Sequence, residues 1–233
     1  MSRGLGDVYK RQEEKLKRSI ELGVGQLKIG VSSTLCKYML LPYLREFIHR
    51  NPHISISIEC QSTNETLKLL DDDKIDIGLI GKPASLKTFN FYYLDNIEDI
   101  FVTTKDYLRN LSARGVKKSE ILQNSTLMLL DKGNMTRKYI DDYLQENQIH
   151  VKDSIDISNM DLLIDFAKIG VGVACVIKSI VSKELADGTL IEIPLGIPIH
   201  KREVGFAYKE SSKLSTSLQT FIKFYESYTP EDF

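Results

Sequence analysis

Four short polar clusters hold the residues best placed to bind a ligand. They are Ser32-Ser33-Thr34, Gln61-Ser62-Thr63-Asn64, Lys132-Gly133-Asn134-Met135-Thr136 and Ser158-Asn159. Each follows a short apolar run and precedes a segment with helical apolar spacing. A hydroxyl or amide side chain at that point caps the first turn of a helix, and Ser33 or Thr34 is the cap expected in the first cluster. The remaining N–H groups of the turn sit at the positive end of the helix dipole, where a small anion can be held. One such cluster alone is an ordinary helix cap. Four clusters, two in each half of the chain, favour a binding cleft if the halves face each other.

Catalytic groupings are missing from the same sequence. His49 and His53 flank the Asn51-Pro52 break, and His150 and His200 lie near strand starts, away from the four clusters. No HExxH, GxSxG or phosphate-binding glycine loop occurs. Asp71-Asp72-Asp73 ends a helix without the spacing of a calcium loop and reads as a solvated turn. Gly170-Val171-Gly172 follows a helix and precedes a strand, the reverse of a dinucleotide fingerprint, and reads as tight helix-to-strand packing. No enzyme activity, metal or cofactor is expected.

The chain has 233 residues, 31 basic and 32 acidic, enough for a sizeable core in one domain or two lobes. A charge near zero gives no electrostatic case for this chain alone gripping nucleic acid or an anionic membrane. Cys36, Cys60 and Cys175 are odd in number, lack CxxC spacing and lie in apolar or strand-like contexts. They read as buried free thiols and point to a reducing compartment. No run approaches the roughly 18 apolar residues of a membrane span, and no secretion signal is present in the first residues.

The elements that position the clusters follow from periodicity. Leu27–Val31 reads as a strand, 35–50 as a helix, and 54–58 as a half-buried strand of alternating isoleucine and serine. A helix over 65–72 and a strand over 75–80 complete a βαβαβ unit, which implies parallel pairing and right-handed crossovers. Strands are expected over 89–94 and 100–103. The pattern then restarts: strand 127–130, helix 137–146, strand 154–157, helix 161–168, strand 172–177, a short helix over 179–186 and a strand over 190–193. A strand over 204–208 and a helix from 214 to about 225 close the chain. Helix 35–50 is apolar on more than one face, which suggests a partner surface beside its core face.

Gly25–Pro42, the run NPHISISIE over 51–59 and the run LLDDDKIDIGLIGKP over 69–83 together resemble the effector-binding domain of LysR-type transcriptional regulators. Leu69–Gly78 resembles that family's L-x-x-G-x-L/I-D-x-A/G segment, with Asp73 or Lys74 where glycine is usual. Gly133-Asn134-Met135-Thr136-Arg137 resembles a G-S-G-T-R turn. Residues 159–172, running on as AKIGVGVAC, resemble the V-x-x-G-x-G-I/V-x-x-L segment. The second cluster has Gln61-Ser62-Thr63 where related members often have Gly-Asn-Thr. The resemblance runs from about Gly25 to Tyr225.

This resemblance implies an α/β fold of the type 2 periplasmic-binding-protein kind, with two Rossmann-like lobes joined by two crossover strands. The lobes are expected at 25–101 plus 203–225, and at 102–202, with a tail over 226–233. Residues 13–24 are expected to end a linker helix, and 1–12 look like a non-native leader. The implied function is effector sensing in a cytoplasmic regulator that reaches DNA through an N-terminal helix-turn-helix absent from this chain. A free-standing solute-binding protein of the same fold is the alternative. The expected partners are a small polar or anionic effector held between the lobes and a second copy of the chain, paired antiparallel, or further copies in a higher oligomer, with no membrane. The expected ligand-binding residues are Ser32, Ser33, Thr34, Ser62 and Thr63 from the first lobe, and Asn134, Met135, Thr136 and Asn159 from the second. Arg137 supplies charge if it turns inward.

Overall fold

The computed structural model describes residues 25–230 except 84, 87 and 211–213. The expected leader over 1–12 and linker helix over 13–24 lie outside the described residues, as does the end of the tail over 231–233.

Strand β1 (Gln26–Val31) begins the first sheet, with Leu27, Ile29 and Val31 fully buried. A single turn at Ser33–Leu35 leads into a π-helical stretch, Cys36–Leu40, and then helix α1 (Leu41–Arg50). The sequence suggests one uninterrupted helix here. Pro42 offers no N–H to the carbonyl of Tyr38, so the i→i−4 ladder is already broken where the wider turn ends. Strand β2 (Ser55–Cys60), helix α2 (Thr63–Asp71) and strand β3 (Ile77–Gly81) complete the first βαβαβ unit. β1 pairs in parallel with both β2 and β3. Asp73, one of the two positions where the resemblance expects glycine, has φ 52°. Its carboxylate accepts from Lys209 Nζ at 3.1 Å, and Lys209 also donates to the Asp71 carbonyl, so a cation organises the acidic turn. Aspartate is one of the few residues that tolerates the left-handed region.

Strands β4 (Phe89–Ile97) and β5 (Asp99–Thr103) follow. Helix α3 (Lys105–Ala113), which the sequence reading leaves unassigned, is capped by Thr104. A short helix α4 (Ile121–Asn124) opens the repeat of the pattern. It continues as β6 (Thr126–Leu130), α5 (Met135–Glu146), β7 (Asp153–Ile157), α6 (Met160–Lys168) and β8 (Val173–Ile177). Helix α7 (Ser182–Asp187) and strand β9 (Ile191–Glu192) precede β10 (Arg202–Lys209) and α8 (Thr216–Ser227).

Two sheets result, ordered β2-β1-β3-β10-β4 and β7-β6-β8-β5-β9. Each begins with the same arrangement, a central strand flanked by the two that follow it through helices. The second sheet is mixed, because β5 runs antiparallel to β8 and β9. The sequence reading gives parallel pairing for the first βαβαβ unit and no direction for the strand over 100–103, which follows β4 without a crossover helix.

The chain forms two compact units. The first holds 25–79, 86–91 and 206–230, and the second holds 80–85 and 92–205. The sequence places the changes of lobe at 101/102 and 202/203. They fall instead inside β3, β4 and β10 and in the segment between β3 and β4, whereas β5 belongs wholly to the second sheet. The core of the first unit is aromatic: Phe47 meets Phe221 edge-on at 4.9 Å, and Phe206 stacks on Tyr225 at 4.7 Å. In the second unit Phe101, Leu127, Leu129, Ile140 and Val173 pack into one cluster.

The Gly170-Val171-Gly172 run has two separate jobs. Gly170, at φ 76°, ends α6 in a left-handed cap, with its N–H donating to the Ala167 carbonyl and the Val171 N–H to the Phe166 carbonyl. Gly172 lets β8 approach β6, because a Cβ there would lie 2.2 Å from the Thr126 carbonyl oxygen.

Candidate functional site

In both units the polar clusters join the carboxyl end of a strand to the N-terminus of a helix, where open α/β sheets bind ligands. In the first unit Ser32, not Ser33 or Thr34, is the cap. Its Oγ accepts from the Leu35 N–H at 3.3 Å, and its carbonyl takes the Cys36 N–H. The cap lies one residue earlier because Ser32 still has extended backbone, with ψ 153°. Ser33 is exposed and Thr34 half-buried. At α2, Ser62 Oγ accepts from the Glu65 N–H at 3.3 Å, while Thr63 is buried. The amides of Ser33, Thr34, Thr63 and Asn64 donate to no described residue.

In the second unit Asn134 Oδ1 accepts from the Thr136 N–H at 2.8 Å, and Asn159 Oδ1 from the Leu162 N–H at 2.9 Å. The amides of Met135 and Arg137 donate to no described residue. Every expected residue therefore belongs to a helix N-terminus, and in the first three turns one side-chain cap leaves other described amides without a described acceptor.

Arg137 is held differently from the conditional expectation that it turns inward as a free charge. Its side chain is buried and committed: Nε donates to Asp141 at 2.8 Å, and Nη1 to the Leu130 carbonyl at 2.9 Å and Asp156 at 2.5 Å. Burial disfavours its charge, but the two carboxylates outweigh that and hold its pKa above the ordinary arginine value. Arg137 thus ties α5 to β6 and β7.

A second arginine, absent from the expected set, reaches Thr136. Arg202, at the start of β10, donates from Nε and Nη2 to both oxygens of Asp99, at 2.7 and 2.9 Å. Nη2 also donates to Thr136 Oγ1 at 3.2 Å, so the threonine hydroxyl keeps its own proton for a further acceptor. The guanidinium lies 5.3 Å from the Tyr139 ring centroid, and Tyr139 Oη donates to the His200 carbonyl at 2.7 Å. The Arg202 side chain is 14% exposed, that of Asp99 0%. Burial pushes the Asp99 carboxyl above its ordinary value, against the pull of Arg202. Each member of this pair lies beside an expected strand, Asp99 before 100–103 and Arg202 before 204–208, and neither sits in a recognisable motif. The two are 103 residues apart in sequence.

The described residues hold no group of three or more His, Cys, Asp or Glu side chains fit to bind a metal. A cavity of about 230 Å³ in the second unit lies elsewhere, lined by Ile121, Tyr143, Ile193 and Ile197 among others, and none of the expected ligand residues borders it. No helix among the described residues is long and apolar enough to cross a membrane.

Residues 21–229 match the family described as LysR substrate binding domain. The chain belongs to that family. It is 22% identical over 224 residues to the uncharacterized HTH-type transcriptional regulator YeiE of Escherichia coli K12, a match covering 93% of this chain and 75% of that one. Among solved structures, it is similar to the regulatory domain of HypT from Salmonella typhimurium in its apo form. That match has a TM-score of 0.73, 15% identity and coverage of 86% and 93%. It is also similar to the regulatory domain of CcmR from Synechocystis in complex with 2-PG, with a TM-score of 0.72, 19% identity and coverage of 86% and 95%. The LysR-family fold is therefore established for this chain, and its relatives are transcriptional regulators.

The Asp99–Arg202 pair makes a signed prediction. A carboxyl raised in the folded state binds more protons folded than unfolded, so its contribution to stability falls as pH rises through the window above the ordinary aspartate value. Removing the cation widens that window. Arg202→Met is expected to cost about 3–5 kcal/mol near neutral pH, because it strands a buried carboxylate. The loss should shrink as pH falls towards about 5, and Asp99→Asn in the same chain should remove the pH dependence. Urea unfolding at the two pH values checks this, and a loss independent of pH contradicts it.

Proposed function

We propose that this domain senses a small polar or anionic metabolite on behalf of a DNA-binding regulator, acts in the cytoplasm and catalyses no reaction. The observation that carries the reading is the set of partly capped helix N-termini at strand ends, with free amides at Ser33, Thr34, Thr63, Asn64, Met135 and Arg137. Such donors satisfy carboxylate, phosphate or sulfate oxygens without a buried fixed charge. The proposed contacts are the amides and hydroxyls of Ser32, Ser33, Thr34, Ser62 and Thr63, and those of Asn134, Met135, Thr136 and Asn159. Arg137 contributes its backbone N–H, and Arg202 positions the Thr136 hydroxyl. The complex of the similar CcmR domain with 2-PG supports a small effector. DNA contact belongs to a helix-turn-helix elsewhere in the whole regulator, consistent with the HTH-type description of its relatives. Effector binding acts by favouring one of two conformations, and differential affinity sets its size.

Calorimetry against a metabolite panel tests this reading. Thr34→Ala and Thr136→Ala should each weaken the bound effector about tenfold, roughly 1.4 kcal/mol. An effector that both variants bind as tightly as the parent places the site elsewhere.

We further propose an antiparallel dimer, following the resemblance, in which α1 and β2 of one copy meet the second unit of the other. Leu41 and Ile48, spaced to share one face of α1, are 49% and 45% exposed, and Ile58 on edge strand β2 is 37% exposed. On the second unit, Leu162 and Phe166 share a face of α6, Ile169 follows at its C-terminal cap, and Ile155 lies on edge strand β7. Large apolar side chains clustered in this way are suited to a partner surface. In a two-fold dimer each contact occurs twice, so single changes count double. Sedimentation should give a dimer at high micromolar concentration, weakened at least tenfold, about 1.4 kcal/mol, by either Ile48→Arg or Phe166→Arg. A strictly monomeric parent contradicts the proposal.

A further inference from the structure

The cysteines do not form the uniform buried set that the sequence suggests. Cys175 is buried, Cys36 is half-buried and Cys60 is exposed. Cys60 sits at the end of edge strand β2, paired in register with Val31, and the Gln61 N–H donates to the Val31 carbonyl at 2.9 Å. Cys36 opens the π-helical stretch five residues after Val31, with its own N–H on the Ser32 carbonyl at 2.8 Å. Both thiols therefore lie at the carboxyl ends of the paired strands β1 and β2, Cys36 one helical turn beyond Val31 and Cys60 beside it, near enough for Cys60 to act on the ionisation of Cys36. No third metal-ligating side chain joins them among the described residues, so the pair lacks the closed ligand set of a structural zinc site.

We infer that Cys36 and Cys60 are a redox-active thiol pair that closes to an intramolecular disulfide when a hydroperoxide reaches the exposed Cys60 sulfur. The Cys60 thiolate attacks one peroxide oxygen, the O–O bond breaks, and Cys60 becomes a sulfenic acid as the other oxygen leaves as hydroxide. Cys36 then loses its proton and attacks the Cys60 sulfur, forming the S–S bond and expelling the sulfenic oxygen as water. In sum, two thiols are oxidised by two electrons and one peroxide is reduced to two waters. The order of steps follows from exposure. It also agrees with the Cys36 thiol being held above its ordinary pKa, first by burial and then by Cys60 itself, which suits it to resolve rather than to start the reaction. Cys60 immediately precedes the Gln61–Asn64 turn, and Cys36 follows Ser32–Thr34 by two residues. The disulfide therefore fastens together the two helix N-termini of the first unit.

The test treats the full chain, dilute and fully reduced, with hydrogen peroxide, followed by alkylation, unfolding and peptide mass mapping. Cys36 and Cys60 should disappear as free thiols together, reappear as one linked peptide pair and be restored by dithiothreitol, with Cys175 still alkylatable after unfolding. Cys36→Ser should leave Cys60 as a sulfenic acid trapped by dimedone. Cys60→Ser, at an exposed position that the fold tolerates, should leave Cys36 reduced. Three outcomes overturn the inference: Cys36 staying free while Cys60 proceeds to sulfinic acid, linkage only between separate chains, or Cys36 oxidising at the parent rate in Cys60→Ser.

Discussion

Parallel pairing is the constraint on which the rest of this structure depends. A strand can be followed by a parallel neighbour only if the chain crosses back, and here it crosses back as a helix. Every such crossover starts at the carboxyl end of a strand and exposes unpaired backbone N–H groups there. β1, β2, β6 and β7 all end in this way, and the polar residues after them are chosen by that need. Ser32, Ser62, Asn134 and Asn159 each take one N–H, and the first three leave others open. The capping that stabilises the fold and the donor array proposed to receive an effector are thus parts of the same four turns.

The two units arm these turns unequally. The first contributes hydroxyls and amides, with no buried cation among its described residues. The second contains two arginines close to α5, but each is neutralised, Arg137 by Asp141 and Asp156 and Arg202 by Asp99. Charge there is used for positioning. A bidentate pair fixes the Arg202 guanidinium, which fixes the Thr136 hydroxyl, so the donor direction is set before any effector arrives. Neutral hydrogen bonds contribute roughly 0.5–1.5 kcal/mol each, so micromolar affinity, about 8 kcal/mol, requires many of them acting together.

What the sequence made legible was local. The strand–turn–helix units, the doubled pattern and the glycine run before β8 all follow from spacing within about ten residues. What it concealed depends on residues distant in the chain. Asp99 and Arg202 meet across the second unit, and neither has a neighbour in sequence that announces the pair. Antiparallel β5 looks like any short apolar strand, because period and burial carry no direction. The alternation of Ile54, Ile56 and Ile58 was correctly read as a strand, yet β2 is an edge, so Ile58 and Cys60 are exposed. The family resemblance expects glycine at 73 or 74, and Asp73 takes a left-handed backbone there with its carboxylate on Lys209.

The central claim is that the open amides of these turns receive the effector. Backbone amide chemical shifts, followed while the best-binding metabolite of the panel is titrated in, test it most directly. The account predicts the largest saturable changes at Ser33, Thr34, Thr63, Asn64, Met135 and Arg137. Changes concentrated instead around Ile121, Tyr143 and Ile197, with these amides still, would contradict it.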